Sequence, residues 1–227
     1  MPGQAATDDR NFLRRLTDAE ALSLQNRSRR RNYPRGAALF RQGDAGDEVF
    51  ILRAGRVKVC ARRAGREVIL AVLDAGALLG ELSAVDGSPR SATAVALDDV
   101  EVDVTSQGEF NELLEEHPRV ATELLRLVAE RLRDTSLRQL EFGTMDTLGR
   151  LCASLTELAT RYGQESGDET EISAPFHQGE LAAWSGMSRE AVVKGFRQLR
   201  SLGWLSIEGR TLILHDPAAI RRRANSR

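Results

Sequence analysis

Gly80-Glu81-Leu82-Ser83-Ala84-Val85-Asp86-Gly87-Ser88-Pro89-Arg90-Ser91-Ala92-Thr93 is the stretch around which this 227-residue chain is organised. It opens on a glycine and a carboxylate, closes on Arg-Ser, and runs into the alternation Ala92-Thr93-Ala94-Val95-Ala96-Leu97. A short turn or helix flanked by strand follows from that pattern. Backbone N–H groups at the start of such a turn, the Arg90 guanidinium and the Ser91 hydroxyl can converge on one anion, and the planar guanidinium fork suits a phosphodiester. Glu81 would repel the anion, so its role is to accept hydrogen bonds from a sugar hydroxyl or a backbone N–H. The same residues also permit a plain surface turn around Asp86-Gly87 and Ser88-Pro89, closed by a Glu81–Arg90 ion pair.

On the amino-terminal side, residues 1–10 are small and polar and read as weakly docked or disordered. Residues 11–25 carry Phe12, Leu13, Leu16, Leu22 and Leu24 around Thr17-Asp18-Ala19-Glu20, a helix-start signature that predicts one or two short helices. From Pro34 the period changes to two, with strand-like runs at 37–40, 49–52, 57–61, 67–73, 92–97 and 100–104. Glycine-bearing turns at short spacing separate them, which predicts a small antiparallel sandwich or barrel.

Beyond Ser106 the pattern is helical. A short helix over 109–116 ends at His117-Pro118, and a long one follows from 119 to 142. On it Leu125, Val128, Leu132, Thr135, Gln139 and Phe142 are spaced three, four, three, four, three, the seam of a parallel coiled coil, so a homodimer through this helix is expected. Polar residues on a seam fix register or meet something polar; Thr135 and Ser136 are the candidates for ligand contact. Gly143-Thr144-Met145-Asp146 is expected to break the helix, with Asp146 capping the next one over 147–162. Residues 163–170 read as a polar, exposed loop.

The last part opens with a short strand at Ile172-Ser173. It then reads as a helix over 177–184, a turn at Ser185-Gly186-Met187, a second helix capped by Ser188 and running to 202, and a hairpin over 204–214. Leu181, Ala182 and Ala183 are expected to pack on Val192, Val193, Phe196 and Leu199. This is a winged helix-turn-helix. Its second helix presents Ser188, Arg189, Glu190, Lys194 and Arg197, residue types that read base edges and phosphates, and Arg210 at the wing turn is a further candidate. A capping turn with an Arg–Glu pair is the alternative. Residues 171–227 carry a surplus of +4 while residues 1–170 stand at −5, so the basic part can face an anionic polymer, although a basic tail at Arg221, Arg222, Arg223 and Arg227 supplies much of it.

The fold class expected is α+β, in three parts at 1–118, 119–145 and 146–227. Apolar residues make up 41% and charged residues 29% of the chain, as in a soluble globular protein, and with neither a signal-peptide core nor a membrane-length apolar run a cytoplasmic location is expected. Cys60 and Cys152 and the three histidines are scattered, so no metal or disulfide framework is indicated. No nucleophile–base pair, metal cluster or Walker-type loop points to an enzyme.

With both ends in view, the chain resembles the cyclic-AMP receptor protein (CRP/FNR) family of bacterial transcription regulators over nearly its whole length. Residues 43–55 are similar to the family's β-roll signature, and 80–91 to its phosphate-binding cassette. Arg131-Leu132 to Thr135-Ser136, followed by Asp146, resembles its long helix and hinge, and Ser188-Arg189-Glu190 with Lys194 its recognition helix. The resemblance implies that Gly80, Glu81, Leu82, Arg90 and Ser91 hold the ribose and cyclic phosphate of cyclic AMP and that Arg131 adds a phosphate contact. It also implies that Thr135 of one subunit and the partner subunit's Ser136 reach the adenine. Double-stranded DNA with TGTGA-like half-sites and RNA polymerase, through residues 163–170, are the partners it implies.

Three departures bear on this. Lys194 stands where the family has arginine, Gln139 replaces an apolar seam residue, and Gln178 and Gly179 lack the family's basic phosphate contact. The competing readings are a different effector, cyclic GMP or cyclic di-GMP, or none, and a nucleotide-binding module whose winged domain docks a protein.

Overall fold

A computed structural model describes residues 11–173, 178–209 and 211–226; the expectations for residues 1–10, for the helix start at His177 and for Arg210 lie outside the described residues. The chain forms two compact units, Met1–Arg133 and Asp134–Arg227.

The first unit opens with a 3-10 turn, Leu13–Arg15, and helix α1, Asp18–Asn26. The Thr17 side chain accepts from Glu20 N, and the Glu20 carboxylate accepts from Thr17 N in return. Eight strands follow: β1 (Arg29–Tyr33), β2 (Ala38–Phe40), β3 (Glu48–Ala54), β4 (Val57–Arg63), β5 (Arg66–Leu73), β6 (Leu78–Leu79), β7 (Thr93–Ala96) and β8 (Val100–Ser106). Helix α2 (Glu81–Asp86) lies between β6 and β7, as the flanking strand pattern predicts, and α3 (Gln107–Glu116) and α4 (Pro118–Thr144) follow β8.

Two four-stranded antiparallel sheets, in the orders β1-β8-β3-β6 and β2-β7-β4-β5, make the predicted sandwich. Strand β3 explains its own continuous apolar run. Phe50 and Leu52 enter a core with Leu39, Val57, Ala94 and Val102 from both sheets. Val49 and Ile51 point the other way, into a second core with Leu24, Phe110, Leu113, Val120 and Leu127 of α1, α3 and α4. A strand buried on both faces loses its polar alternation.

The edge strand β1 begins before Pro34 and reads Arg-Arg-Arg-Asn-Tyr, with no apolar alternation to betray it. It is held by backbone pairing to β8 and by ion pairs from Arg30 to Asp103 (2.9 Å) and Glu101 (2.6 Å). Charge on an edge strand also discourages pairing with another chain.

In the second unit, α5 (Thr147–Tyr162) is capped by Asp146, whose side chain accepts from Gly149 N, as expected. The preceding break falls two residues later than the sequence suggests, because α4 continues through Gly143 to Thr144. The expected loop at 163–170 is instead a hairpin, β9 (Gly163–Ser166) and β10 (Glu169–Ile172), and the strand expected to open at Ile172 ends there. Polar outward residues hid it. Helices α6 (Gln178–Ser185) and α7 (Arg189–Ser201) follow, then β11 (Leu205–Glu208), β12 (Thr211–Leu214) and α8 (Pro217–Ala224). The small sheet runs β11-β12-β10-β9, so the wing is continuous with the unexpected hairpin.

Of the basic tail, Arg221, Arg222 and Arg223 belong to a structural element, α8, and Arg227 lies outside the described residues. Asp216 caps α8, Ala219, Ile220 and Ala224 are buried, α8 packs on α5, and Arg223 donates to Asp146 at 2.5 Å. Among the described residues no helix is long and apolar enough to cross a membrane.

Candidate functional site

In the first unit the cassette is built around Arg90. Gly80, at φ +80°, turns the chain out of β6 into α2, and Gly87, at φ +70°, ends that helix. Asp86 then accepts from Ser88 N at 2.9 Å and leads the chain to Arg90. The Arg90 main chain is pinned to the loop before β3: Arg90 N donates to Asp44 O, and Gly43 N donates to Arg90 O, both at 2.9 Å. Gly46 is the close approach in that loop, since a Cβ built there would lie 2.1 Å from Ser83 Cβ in α2.

The Arg90 side chain is only 4% exposed. Its Nη1 donates to Gly80 O (2.8 Å), its Nη2 to Glu48 O (2.5 Å), and the guanidinium lies 4.5 Å from the Phe40 ring centroid and 5.8 Å from that of Phe50. Rings at this range attract a cation through their π faces. Burial lowers the Arg90 pKa from the ordinary arginine value, while the carboxylates of Asp47, Glu48, Glu81 and Asp44 act in the opposite direction. Arg90 Nε is buried with no hydrogen-bond partner. A buried cation held by carbonyls and rings, with one donor orphaned, is costly unless an anion completes it.

The Glu81–Arg90 ion pair of the plain-turn reading is not what the structure builds. Glu81, also buried, accepts instead from Arg131 Nη1 at 2.5 Å, and Arg131 Nη2 donates to Leu78 O at 2.8 Å. Arg90 is thereby tied to Gly80 and Arg131 to Glu81, neighbouring residues at the head of α2. Ser91 is exposed beside Arg90, and Leu82 points outward from α2. Thr135 and Ser136 are exposed on α4, about one turn after Arg131. Leu125 and Leu132 of the expected seam are 70% and 65% exposed, while Val128 packs partly on the helical core. The Phe142 side chain lies outside the described residues.

The aromatic floor, Phe40 and Phe50, escaped the sequence reading. Both sit on strands distant from the cassette, and nothing but the folded sheet brings them under Arg90.

In the second unit, α6 ends at Ser185, whose buried hydroxyl donates to Leu181 O at 2.7 Å, and Gly186 at φ +64° reverses the chain. Ser188 caps α7 by accepting from Ala191 N. Val192, Gly195, Phe196 and Leu199 form its buried face; a Cβ at Gly195 would lie 2.4 Å from Leu151 Cδ2, so glycine there lets α7 approach α5. Ser188, Arg189, Glu190, Lys194 and Arg197 are all exposed. Val193 is exposed with them, contrary to its expected place in the core. A short helix presenting cations beside a hairpin wing is a surface shaped for a nucleic-acid groove.

Comparison with known proteins bears on both units. Residues 30–117 match the family model described as Cyclic nucleotide-binding domain, and residues 149–223 match the Crp-like helix-turn-helix domain. The chain is 32% identical over 195 residues, 85% of this chain and 87% of the relative, to the CRP-like cAMP-activated global transcriptional regulator of Mycobacterium tuberculosis. The chain belongs to the CRP/FNR family of transcription regulators. It is 28% identical over 188 residues to the cAMP-activated global transcriptional regulator CRP of Salmonella typhimurium, covering 81% of this chain and 88% of that one. Among solved structures, the c-di-GMP responsive global regulator CLP of Xanthomonas campestris aligns with a TM-score of 0.81 at 22% identity, over 88% of this chain and 99% of that one. Family membership makes the chain a regulator with a cyclic-nucleotide-binding unit and a DNA-binding helix-turn-helix.

Proposed function

We propose that this protein is a cyclic-AMP-responsive homodimeric transcription regulator that binds a palindromic, TGTGA-like DNA site. The buried Arg90 guanidinium with its orphaned Nε carries the reading, because a phosphodiester oxygen would supply the acceptor that this donor lacks. A single buried guanidinium suits a cyclic mononucleotide with one phosphate better than a cyclic dinucleotide with two. Gly80 matches this fit: a side chain there would meet Arg90 Nη1 at 2.5 Å.

In this reading Arg131 orients Glu81, whose remaining acceptor sites take a ribose hydroxyl, and Ser91 adds a hydroxyl to the phosphate. The exposed Leu125 and Leu132 pair across a two-fold axis along α4, where Thr135 and the partner subunit's Ser136 meet the base. Ser188, Arg189, Glu190, Lys194 and Arg197, with Arg210 of the wing, contact DNA in half-sites one helical turn apart, roughly 34 Å. Lys194 is a point charge without a bidentate fork, so it reads its base pair less strictly than arginine would. The β9–β10 hairpin is the surface proposed for RNA polymerase.

The test is a fluorescence-anisotropy titration of a TGTGA palindrome at fixed salt, with and without cyclic AMP, for wild type and Arg90→Ala. Cyclic AMP should tighten wild-type binding, and Arg90→Ala should abolish the gain. Equal wild-type affinity with and without nucleotide refutes the coupling, and a gain with cyclic GMP or cyclic di-GMP alone refutes the choice of effector.

A further inference from the structure

The outer face of α7 carries one large apolar side chain that the fold does not bury. Val193 is 47% exposed, whereas Val192, Phe196 and Leu199 of the same helix are buried. It stands one turn after Arg189 and one turn before Arg197, inside the arc that Arg189, Glu190, Lys194 and Arg197 occupy. Helix propensity does not account for it, since valine is a weaker helix former than alanine or the straight-chain residues.

Position and chemistry suggest a use. In the major groove the apolar feature of a base edge is the 5-methyl group of thymine, which is read by apolar contact. A helical valine holds one strongly preferred rotamer, so its two methyl groups are fixed before contact and little freedom is lost on binding. Resting on the DNA-binding reading of α7, we propose that Val193 is a specificity-determining residue that recognises the 5-methyl group of a thymine in each half-site. Arg189, Glu190 and Lys194 supply polar readout around it.

Deoxyuridine tests this directly, because it pairs as thymine does and lacks only the methyl group. The duplex bound best by the wild-type protein with cyclic AMP is selected from a randomised pool, and each half-site thymine is then replaced in turn by deoxyuridine. At one position the wild-type Kd should rise roughly fourfold, the value of one buried methyl-sized group. Val193→Ala, which improves helix propensity and so leaves α7 folded, should bind the thymine and deoxyuridine duplexes alike.

A selected half-site without thymine, or wild-type indifference to deoxyuridine at every position, overturns the assignment while leaving DNA binding intact. If Val193→Ala keeps the wild-type deoxyuridine penalty, another residue reads the methyl and the assignment is equally wrong. If no sequence is enriched from the pool with cyclic AMP, cyclic GMP, cyclic di-GMP or no nucleotide, the DNA-binding reading of α7 fails and this assignment with it.

Discussion

Replacing Gly80 by alanine separates the two reasons for a glycine at the head of the cassette. Its φ of +80° lies in the left-handed region, where a Cβ costs roughly 1–2 kcal/mol. A Cβ there also falls 2.5 Å from Arg90 Nη1 and 3.1 Å from Glu48 O. Arg90 cannot swing away cheaply, because it is buried over Phe40 and donates to both Gly80 O and Glu48 O. Losing a hydrogen bond from a charged donor costs roughly 1.5–3 kcal/mol more, so Gly80→Ala should cost about 2.5–5 kcal/mol in all.

Gly87→Ala supplies the control. Its φ is +70°, and nothing lies within 4 Å of its built Cβ, so it pays the backbone term alone. Urea unfolding followed by circular dichroism gives the stabilities, with the emission of Trp184 and Trp204, both in the second unit, as an internal reference. Calorimetric titration gives the cyclic AMP affinity. Gly80→Ala should lose nucleotide affinity as well as stability, and Gly87→Ala only the smaller share of stability. Equal stability and equal nucleotide affinity for the two variants would refute the steric argument.

Two further outcomes are expected. Burial pushes the Cys152 thiol in α5 from its ordinary 9.0 up to about 11. The folded state therefore holds that proton longer than the unfolded state, and stability is full below pH 9 and falls as pH rises towards 11. The loss approaches roughly 3 kcal/mol. Tryptophan-monitored urea midpoints at mildly and strongly alkaline pH should diverge for wild type and much less for Cys152→Ala; identical divergence would clear the thiol. Leu132→Glu, on the exposed seam, should leave the far-ultraviolet spectrum unchanged and convert a dimer to monomer in sedimentation velocity, whereas an unchanged dimer would place the interface elsewhere.

What could be read from sequence was whatever is encoded within a few residues. The helix start at Thr17/Glu20, the Asp146 and Ser188 caps, and the glycine turns around α2 and before α7 are local devices, and the elements they bound appear within a residue or two. Strand β1 and the β9–β10 hairpin were hidden because they carry polar side chains and are held by backbone pairing, which leaves no periodic trace. The cassette residues were recognisable, but their partners were not. Arg131 reaches Glu81 across 50 positions, and Phe40 reaches Arg90 across a sheet that has first to exist. Val193 was misplaced because apolar spacing alone cannot tell a buried position from an exposed one beside it on the helix.

The packing of α8 on α5 also fixes when, during synthesis, the DNA-binding half can mature. The first unit is complete once residue 133 is clear of the ribosome, but α5 cannot bury the face that α8 covers until residues 217–224 have emerged. At ordinary elongation rates that interval is on the order of ten seconds. A nascent chain would hold a folded first unit while α5 in the second still lacked the helix that covers it.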